Sequence, residues 1–407
     1  MKDLHMGPLP APATPFADAH YVLPLKWTDD EALPDLVRYL ADVVRWLPVT
    51  VVDGSADELF AAHRRALPEA VRHLHPEPWP GANGKVGGVM TGVRRAAQER
   101  IVLADDDVRY TREALAAVVG LLAEAELVRP QNYFLDLPWH ARWDTGRTLL
   151  NRALGGDYPG TLGVRRSALV GAGGYDGDVL FENLELIRTV TAAGGREVRA
   201  LDVLVGRVPP SAAHFGGQRV RQAYDDFAQP ARLVVELSLL PVLGWAARRP
   251  VRLAGLGLLV CAVAEAGRRR AGGRRVYPPG TVLWAPAWVL ERSVCVWAAL
   301  GARLRGGVPY AGSRLRTAGH SRAALRRRLR GRPSSGRDAG GERQVPGGQH
   351  GVAEDRERGA EGAAAVRGNE RHRPLLPADP VERDGDDLLG GQGTGTLVEH
   401  SRSSRRE

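Results

Sequence analysis

From residue 20 to residue 206, short apolar runs alternate with longer stretches of helical periodicity, and this alternation narrows the possible folds most. Strands separated by helix-length connections pair in parallel, with the helices covering the faces of the sheet, so an α/β domain is expected. The segments "YVLPL" (21–25), "VTVVDGS" (49–55), "RIVLA" (100–104) and "ELVRPQNYF" (126–134) read as strands. Helices are expected between them. One follows Thr28 and Glu31, a second follows Ser55 and Glu58, both pairs at capping-box spacing. A third covers "KVGGVMTGVRRAAQE", and Thr111 caps a fourth. Ligands of open parallel sheets gather beyond the carboxyl ends of the strands. Asp53 and the run Asp105, Asp106, Asp107 fall there.

Three adjacent carboxylates repel one another unless something positive joins them. Mg²⁺ and Mn²⁺ are hard ions that take carboxylate oxygens and share their remaining positions with phosphates. Alternate side chains of an Asp-x-Asp unit can converge on one such ion. The same residues also suit a solvated, acidic start to a helix. Both readings stand on the residues alone.

Beyond residue 230 the texture changes. The net charge of +9 conceals a block, residues 231–330, with 19 arginines against three glutamates, so the rest of the chain is net acidic. Arg232 and Arg248 bracket one apolar run, Arg252 and Arg268 a second, and a third (281–304) holds Trp284, Trp288 and Trp297. Each uninterrupted run is about 15 residues or fewer, roughly 22 Å as helix against a hydrocarbon core of ~30 Å. Arginine brackets and tryptophans fit helices that lie in a membrane interface or cross it with snorkelling ends. Nucleic acid is not an expected partner, since the basic block has no recognised module and is interleaved with aliphatic runs. Cys261 and Cys295 sit in apolar runs and read as small buried hydrophobes rather than a disulfide. The start lacks the apolar segment of a signal peptide. From 321 to 407 the chain is rich in Arg, Gly and Glu and is expected to be a disordered tail.

In order and spacing, "VVDGS", "GANGK", "LADDD", "GGYDGDVLFENLEL" and "GGQRVRQAYDDF" resemble the family 2 glycosyltransferases, including their membrane-associated ceramide glucosyltransferase-like branch. The resemblance implies a GT-A fold, a Rossmann-like mixed sheet flanked by helices. It also implies inverting transfer of a hexosyl group from a nucleotide-diphosphate-sugar to a lipid or lipid-linked acceptor, at the cytoplasmic face of a membrane, with Mg²⁺ or Mn²⁺. By position, Asp53 is expected against the donor base and Lys85 near the nucleotide. Asp105 and Asp107 would hold the metal that bridges the diphosphate, with Asp105 also near the donor.

Gly173, Gly174 and Tyr175 match the turn before the family's Glu-Asp pair, which here is Glu182–Asn183. An asparagine amide cannot accept the acceptor's proton, so Glu182, or else Glu185 (otherwise a solvated helix residue), is expected as the base. Gln218 and Arg221 match the QxxRW element, with Gln222 in place of its tryptophan. Trp139, His140 and Trp143 could line an acceptor cleft instead.

The expected organisation is therefore an extension (1–19), a GT-A domain (20–228), a membrane-associated helical region (229–320) and the tail (321–407). A nucleotide-sugar-binding relative without turnover, suggested by Asn183 and Gln222, is the alternative reading. A basic nucleic-acid-binding protein is a more distant one.

Overall fold

Strand β1 (Ala19–Leu25) is buried on both faces, because β2 (Val49–Asp53) and β4 (Arg100–Ala104) flank it in parallel and helices cover it above and below. Its polar side chain, His20, is hydrogen-bonded to Gln98 and Thr50. The computed structural model describes residues 15–310 and 313–331. Helix α1 (Leu33–Val43) connects β1 to β2, and α2 (Asp57–Ala66) leads to the edge strand β3 (Val71–Leu74). Helix α3 (Gly84–Arg95) returns to β4, and after it come the two-residue β5 (Val108–Arg109) and α4 (Arg112–Leu121). Strand β6 (Leu127–Phe134) is followed by α5 (Trp139–Leu154), β7 (Thr161–Arg165), α6 (Arg166–Gly171), α7 (Glu182–Ala192) and β8 (Glu197–Arg207).

The eight strands form one sheet in the order β3-β2-β1-β4-β7-β6-β8-β5. β7 runs antiparallel to both neighbours, and β5 antiparallel to β8; the remaining pairs are parallel. This is the Rossmann-like mixed sheet flanked by helices that was expected. One core cluster packs α1 and α4 on one face of the sheet, and a second packs α3, α6 and α7 on the other. The register places Leu25 beside Asp53, and Phe134 beside Arg207. The carboxyl ends of β1, β2, β4, β6 and β8 thus open on one edge, where the incoming residue Gly160 of β7 also lies.

Two of the expected helix starts differ. Ala32, not Thr28, stands at the N-cap of α1, where Pro34 in the first turn sets the start. Ser55 does not cap α2, because its hydroxyl accepts the backbone N–H of Trp27 at 2.8 Å and so ties the ends of β1 and β2 together. Thr111 does cap α4, accepting from Ala114 N.

The second half of the chain is helical. It comprises α8 (Ala212–Tyr224), a 3₁₀ turn (Asp225–Ala228), α9 (Pro230–Ala246), α10 (Pro250–Arg269) and α11 (Ala285–Leu304). α10 crosses α5 so closely that a Cβ at Gly267 would collide with the Leu149 carbonyl. Cys261 and Cys295 are free, as expected, though half-buried rather than fully buried. By length and composition, α10 with the turn that follows it (Pro250–Arg275) is the one helical segment among the described residues long and apolar enough to cross a membrane.

The helices are not an appendage. The inner face of α11 and the hairpin β9 (Val308–Tyr310) and β10 (Ser313–Leu315) share a core cluster with Leu180 and Leu184 of the α7 region and Ala223 and Tyr224 of α8. The chain beyond the hairpin then straps that region, with Leu180 N–H donating to Thr317 O and Phe181 N–H to Ala318 O. The segment expected to be a tail from 321 opens with a helix instead, α12 (Arg322–Arg330), capped by Ser321 and anchored by buried Leu325. Residues 332–407 lie outside the described residues.

Candidate active site

Helix α3 starts where it does because Asn83 caps it, accepting from Lys85 N while its own amide donates to Val179 O at 3.0 Å. The Tyr310 hydroxyl also donates to Asn83 Oδ1, at 2.8 Å. This pins the first turn of α3 between the loop before α7 and the hairpin. Lys85 is thereby aimed across the strand edge. Its Nζ lies 2.7 Å from Asp105 Oδ1 and 2.6 Å from Glu182 Oε1. Burial alone would lower the Lys85 pKa, but the two carboxylates outweigh it and hold the ammonium charged.

The three adjacent aspartates do three different things. Asp105 leaves β4 with its N–H on Gly160 O and its side chain on Lys85. Its pKa is raised, by burial first and then by Asp107, with Lys85 opposing. Asp106 turns away and accepts the indole N–H of Trp27. Asp107 is gripped by Arg207 from the end of β8, and the pair holds Arg207 charged against the cost of its burial. The other carboxylate oxygen of Asp107, Oδ1, is buried without a hydrogen-bond partner. Asp105 and Asp107 line one cavity of about 380 Å³, as the alternation of an Asp-x-Asp unit leads one to expect, whereas Asp106 lines the adjoining cavity with Asp105.

The first cavity also receives Glu182 and Asn183 from α7, and Gln218, Arg221 and Gln222 from α8. The expected site residues that reach it are therefore Lys85, Asp105, Asp107, Glu182, Asn183, Gln218 and Arg221. Lys85 overcomes burial and keeps Glu182 below the usual carboxylate range. Asn183 donates to Pro159 O at 3.2 Å. Arg221 lies over the Tyr310 ring, 4.9 Å from its centroid. The lining carries seven Lys or Arg side chains, among them Arg147, Arg207, Arg232 and Arg292, and six Asp or Glu side chains, so cations and carboxylates are interleaved around it. A second cavity of about 510 Å³ adjoins it, sharing Lys85, Asp105 and Tyr310. Its walls are Pro24, Leu25, Val52, Gly54 and Pro76 at the ends of β1 and β2 and beyond β3, with Gly88 below. At Gly88 a side chain would crowd Pro24.

Asp53 is not in either lining. It is fully buried, and its carboxylate accepts from Ser55 N at 2.9 Å, His63 Nδ1 at 2.5 Å and His73 Nε2 at 3.0 Å. Burial would raise its pKa, but the His73, Ser55 and His63 hydrogen bonds outweigh that and hold it well below the usual range. Glu185 is not the solvated helix residue expected, because it is fully buried and accepts from the backbone and ring of His320 at 2.7 and 2.8 Å. Trp139, His140 and Trp143 are also outside the cavity. Trp139 and His140 pack on Phe215, and Trp143 donates to Glu291 Oε2, joining α5 to α8 and α11. Gly173 and Gly174 both take positive φ, ending α6 with the turn before Tyr175.

Sequence reasoning missed Arg207, Arg147, Asp225 and Tyr310. Arg207 and Tyr310 come from strands remote in the chain and carry no local signal. Asp225 does carry one, since Gln218, Arg221, Gln222 and Asp225 recur at three- and four-residue spacing along one face of a helix and its continuing turn.

The residues present fit a hard divalent cation. Two carboxylates one residue apart face one cavity, and Asp107 Oδ1 is a buried oxygen donor still lacking a partner.

No family model and no curated protein matches this chain. Among solved structures, it is similar to a mannosyltransferase from Pyrobaculum calidifontis in complex with GDP-mannose and Mn²⁺, at 18% identity. That match covers 72% of this chain and 91% of the other, with a TM-score of 0.39.

Proposed function

We propose that the protein is a glycosyltransferase that takes its sugar from a nucleotide diphosphate. The observation that carries this reading is the meeting of Asp105, Asp107, Lys85, Arg207 and Arg221 around one strand-edge cavity that opens into a second through Lys85 and Asp105. The more apolar second cavity suits a nucleoside. The shared border, where carboxylates and cations alternate, suits a metal-bound diphosphate, and the first cavity suits the sugar and the acceptor.

Asp105 and Asp107 would hold Mg²⁺ or Mn²⁺. When bound, such an ion neutralises the charge that builds on the diphosphate as the glycosidic bond breaks. Lys85 orients Asp105 and Glu182 together. Arg221 and Arg207 present planar guanidinium groups able to bind phosphate oxygens. Inversion, membership of family 2 and the ceramide glucosyltransferase-like branch follow the sequence resemblance.

The acceptor we propose is a lipid or lipid-linked alcohol, met at a membrane surface. Support comes from α9–α11, where Val235, Trp245, Val251, Leu258, Leu259 and Leu290 are all exposed apolar side chains. Arg248, Arg249, Arg252 and Arg269 stand among them, as expected for an interface with anionic headgroups.

A thermal-shift screen of UDP, GDP, UDP-glucose and GDP-mannose, with and without Mn²⁺, tests the reading. Metal-dependent stabilisation by at least one nucleotide is expected, because a ligand favouring the native state raises its apparent stability. Binding of donor with no sugar released or transferred would favour the second reading, a nucleotide-sugar-binding protein without turnover. Asn183, an amide that cannot take a proton, lining the cavity and donating to the Pro159 carbonyl, is the observation on that side.

A further inference from the structure

We propose that Asp225, not Glu182, takes the proton from the acceptor hydroxyl; the inference rests on the glycosyltransferase reading and adds its base. Asp225 opens the 3₁₀ turn after α8 and lines the same cavity as Glu182, Asn183 and Arg221. Its Oδ1 is buried and accepts no hydrogen bond. One turn earlier, Gln222 Oε1 is in the same condition and lines the same cavity. Buried acceptor atoms without donors are costly and rare. Asp107 Oδ1, in the same cavity, is the atom assigned above to the metal. The two that remain call for a ligand that donates O–H groups, which is what a sugar or lipid alcohol brings and a diphosphate does not.

Glu182 is the poorer base. Lys85 sits 2.6 Å from its carboxylate and holds it as a weakly basic anion. The groups around Asp225 are Arg221 from the preceding α8, Glu182 from α7, Arg292 from α11 and Arg147 from α5. Burial, with help from Glu182, outweighs those arginines and pushes the Asp225 carboxyl up to about 7. A base near neutrality balances the fraction deprotonated against its driving force for taking a proton. The next residue fixes the turn: buried Asp226 is paired with Arg232 at 2.9 Å and Arg292 at 3.2 Å.

In the step, the acceptor O–H proton passes to Asp225 Oδ1. The oxygen's electron pair forms the new bond to the anomeric carbon. The bond from that carbon to the donor's phosphate oxygen breaks, and its electrons leave with the nucleoside diphosphate. Asp225 then returns its proton to solvent.

The test uses the full chain with Mn²⁺ and UDP-glucose or GDP-mannose, comparing wild type, Asp225→Asn and Glu182→Gln. Release of nucleoside diphosphate is followed with water or a lipid alcohol as acceptor, and again with azide, which has no proton to lose. Asp225→Asn is expected to bind the nucleotide within about twofold of wild type. It should slow transfer to hydroxyl acceptors by roughly 10²–10⁴-fold, keep transfer to azide, and lose the acidic limb of the pH profile near 7. Hydroxyl transfer by Asp225→Asn at the wild-type rate, or loss of azide and hydroxyl transfer together, overturns the assignment. Glu182→Gln losing hydroxyl transfer while keeping azide transfer would give the role back to Glu182. If wild type neither binds nor cleaves any donor, the glycosyltransferase reading fails first and the base with it.

Discussion

Lys85 Nζ lies 2.6 Å from Glu182 Oε1, joining the first turn of α3 to the first turn of α7 across 97 residues of sequence. The same ammonium reaches Asp105 at 2.7 Å, so one cation holds together the strand-edge aspartate and the helix-start glutamate. Against the cost of burial, Lys85 is the largest influence favouring the charged form of each, with Arg207 adding to it at Asp105 and Arg221 at Glu182. The start of α3, the end of β4 and the start of α7 are thus tied through one side chain.

Lys85→Ala should accordingly do more than remove one cation from the cavity. It leaves two carboxylates together and unpaired, a loss of about 3 kcal/mol by comparison with other broken, largely buried pairs. Both carboxylates should then take up protons at higher pH than in wild type. The expected result is a lower melting temperature with at least tenfold weaker nucleotide binding. A variant with wild-type melting and affinity would remove Lys85 from the site.

Metal dependence separates the neighbouring aspartates. Asp107→Asn removes a charge from the first cavity and weakens the hold on Arg207, whereas Asp106→Asn keeps that cavity intact and alters the contact to the Trp27 indole at the wall of the second. In a Mn²⁺ titration with nucleotide present, Asp107→Asn should abolish the metal-dependent stabilisation, and Asp106→Asn should keep most of it. Equal, small effects at Asp105, Asp106 and Asp107 would sink the metal assignment.

The periodicity of the chain made β1, β2, β4, β6 and the helices between them legible, because each is a local pattern with a strong apolar face. The Asp-x-Asp unit was legible for the same reason, its three residues being adjacent. The limits were contacts between distant segments. Ser55 looks like a cap until Trp27 is brought beside it, and Glu185 looks solvated until His320 returns from the far end of the chain. Arg207 and Tyr310 enter the site only through strand pairing and the late hairpin, which no local pattern encodes. Asp225 shares a helical spacing with Arg221 that was readable, but its importance depends on the burial of an unpaired oxygen, which is a property of packing.

Asp53 makes a prediction about pH. Its folded pKa lies below the unfolded value of about 3.9, so its contribution to stability is present above that value and is lost as pH falls through it toward the folded pKa. Asp53→Asn should lower stability at pH 7 by about 2–3 kcal/mol, because His63 and His73 lose a charged acceptor inside the core. The wild-type advantage over the variant should shrink as the pH is taken below 4. Chemical denaturation of both proteins from pH 3 to pH 7 checks this, and a constant difference across the range would contradict it. Because Asp53 touches neither cavity, nucleotide affinity of the folded variant should change by less than about threefold. A larger loss would restore Asp53 to the donor base.

Membrane contact is tested most directly at the exposed apolar faces of α9 and α10. Leu258 and Leu259 are 71% and 60% exposed, and Trp245 is 52% exposed with Arg252 stacked on its ring 4.2 Å from the centroid. Fully burying one such leucine contributes about 1.5–3 kcal/mol, and a carboxylate in its place adds repulsion from anionic headgroups. The double variant Leu258→Glu, Leu259→Glu should therefore co-sediment with vesicles containing 30% phosphatidylserine at least tenfold less than wild type. Its melting temperature should stay within about 2 °C, because neither side chain is part of the core. Arg248, Arg249 and Arg252 set the second arm, since replacing all three by glutamine should weaken binding to anionic vesicles but hardly to neutral ones. Unchanged sedimentation of the double-glutamate variant would mean that these faces meet something other than lipid. Transfer to a soluble alcohol should survive in that variant while transfer to a vesicle-embedded acceptor falls, because the site is untouched and only its delivery to the membrane is lost.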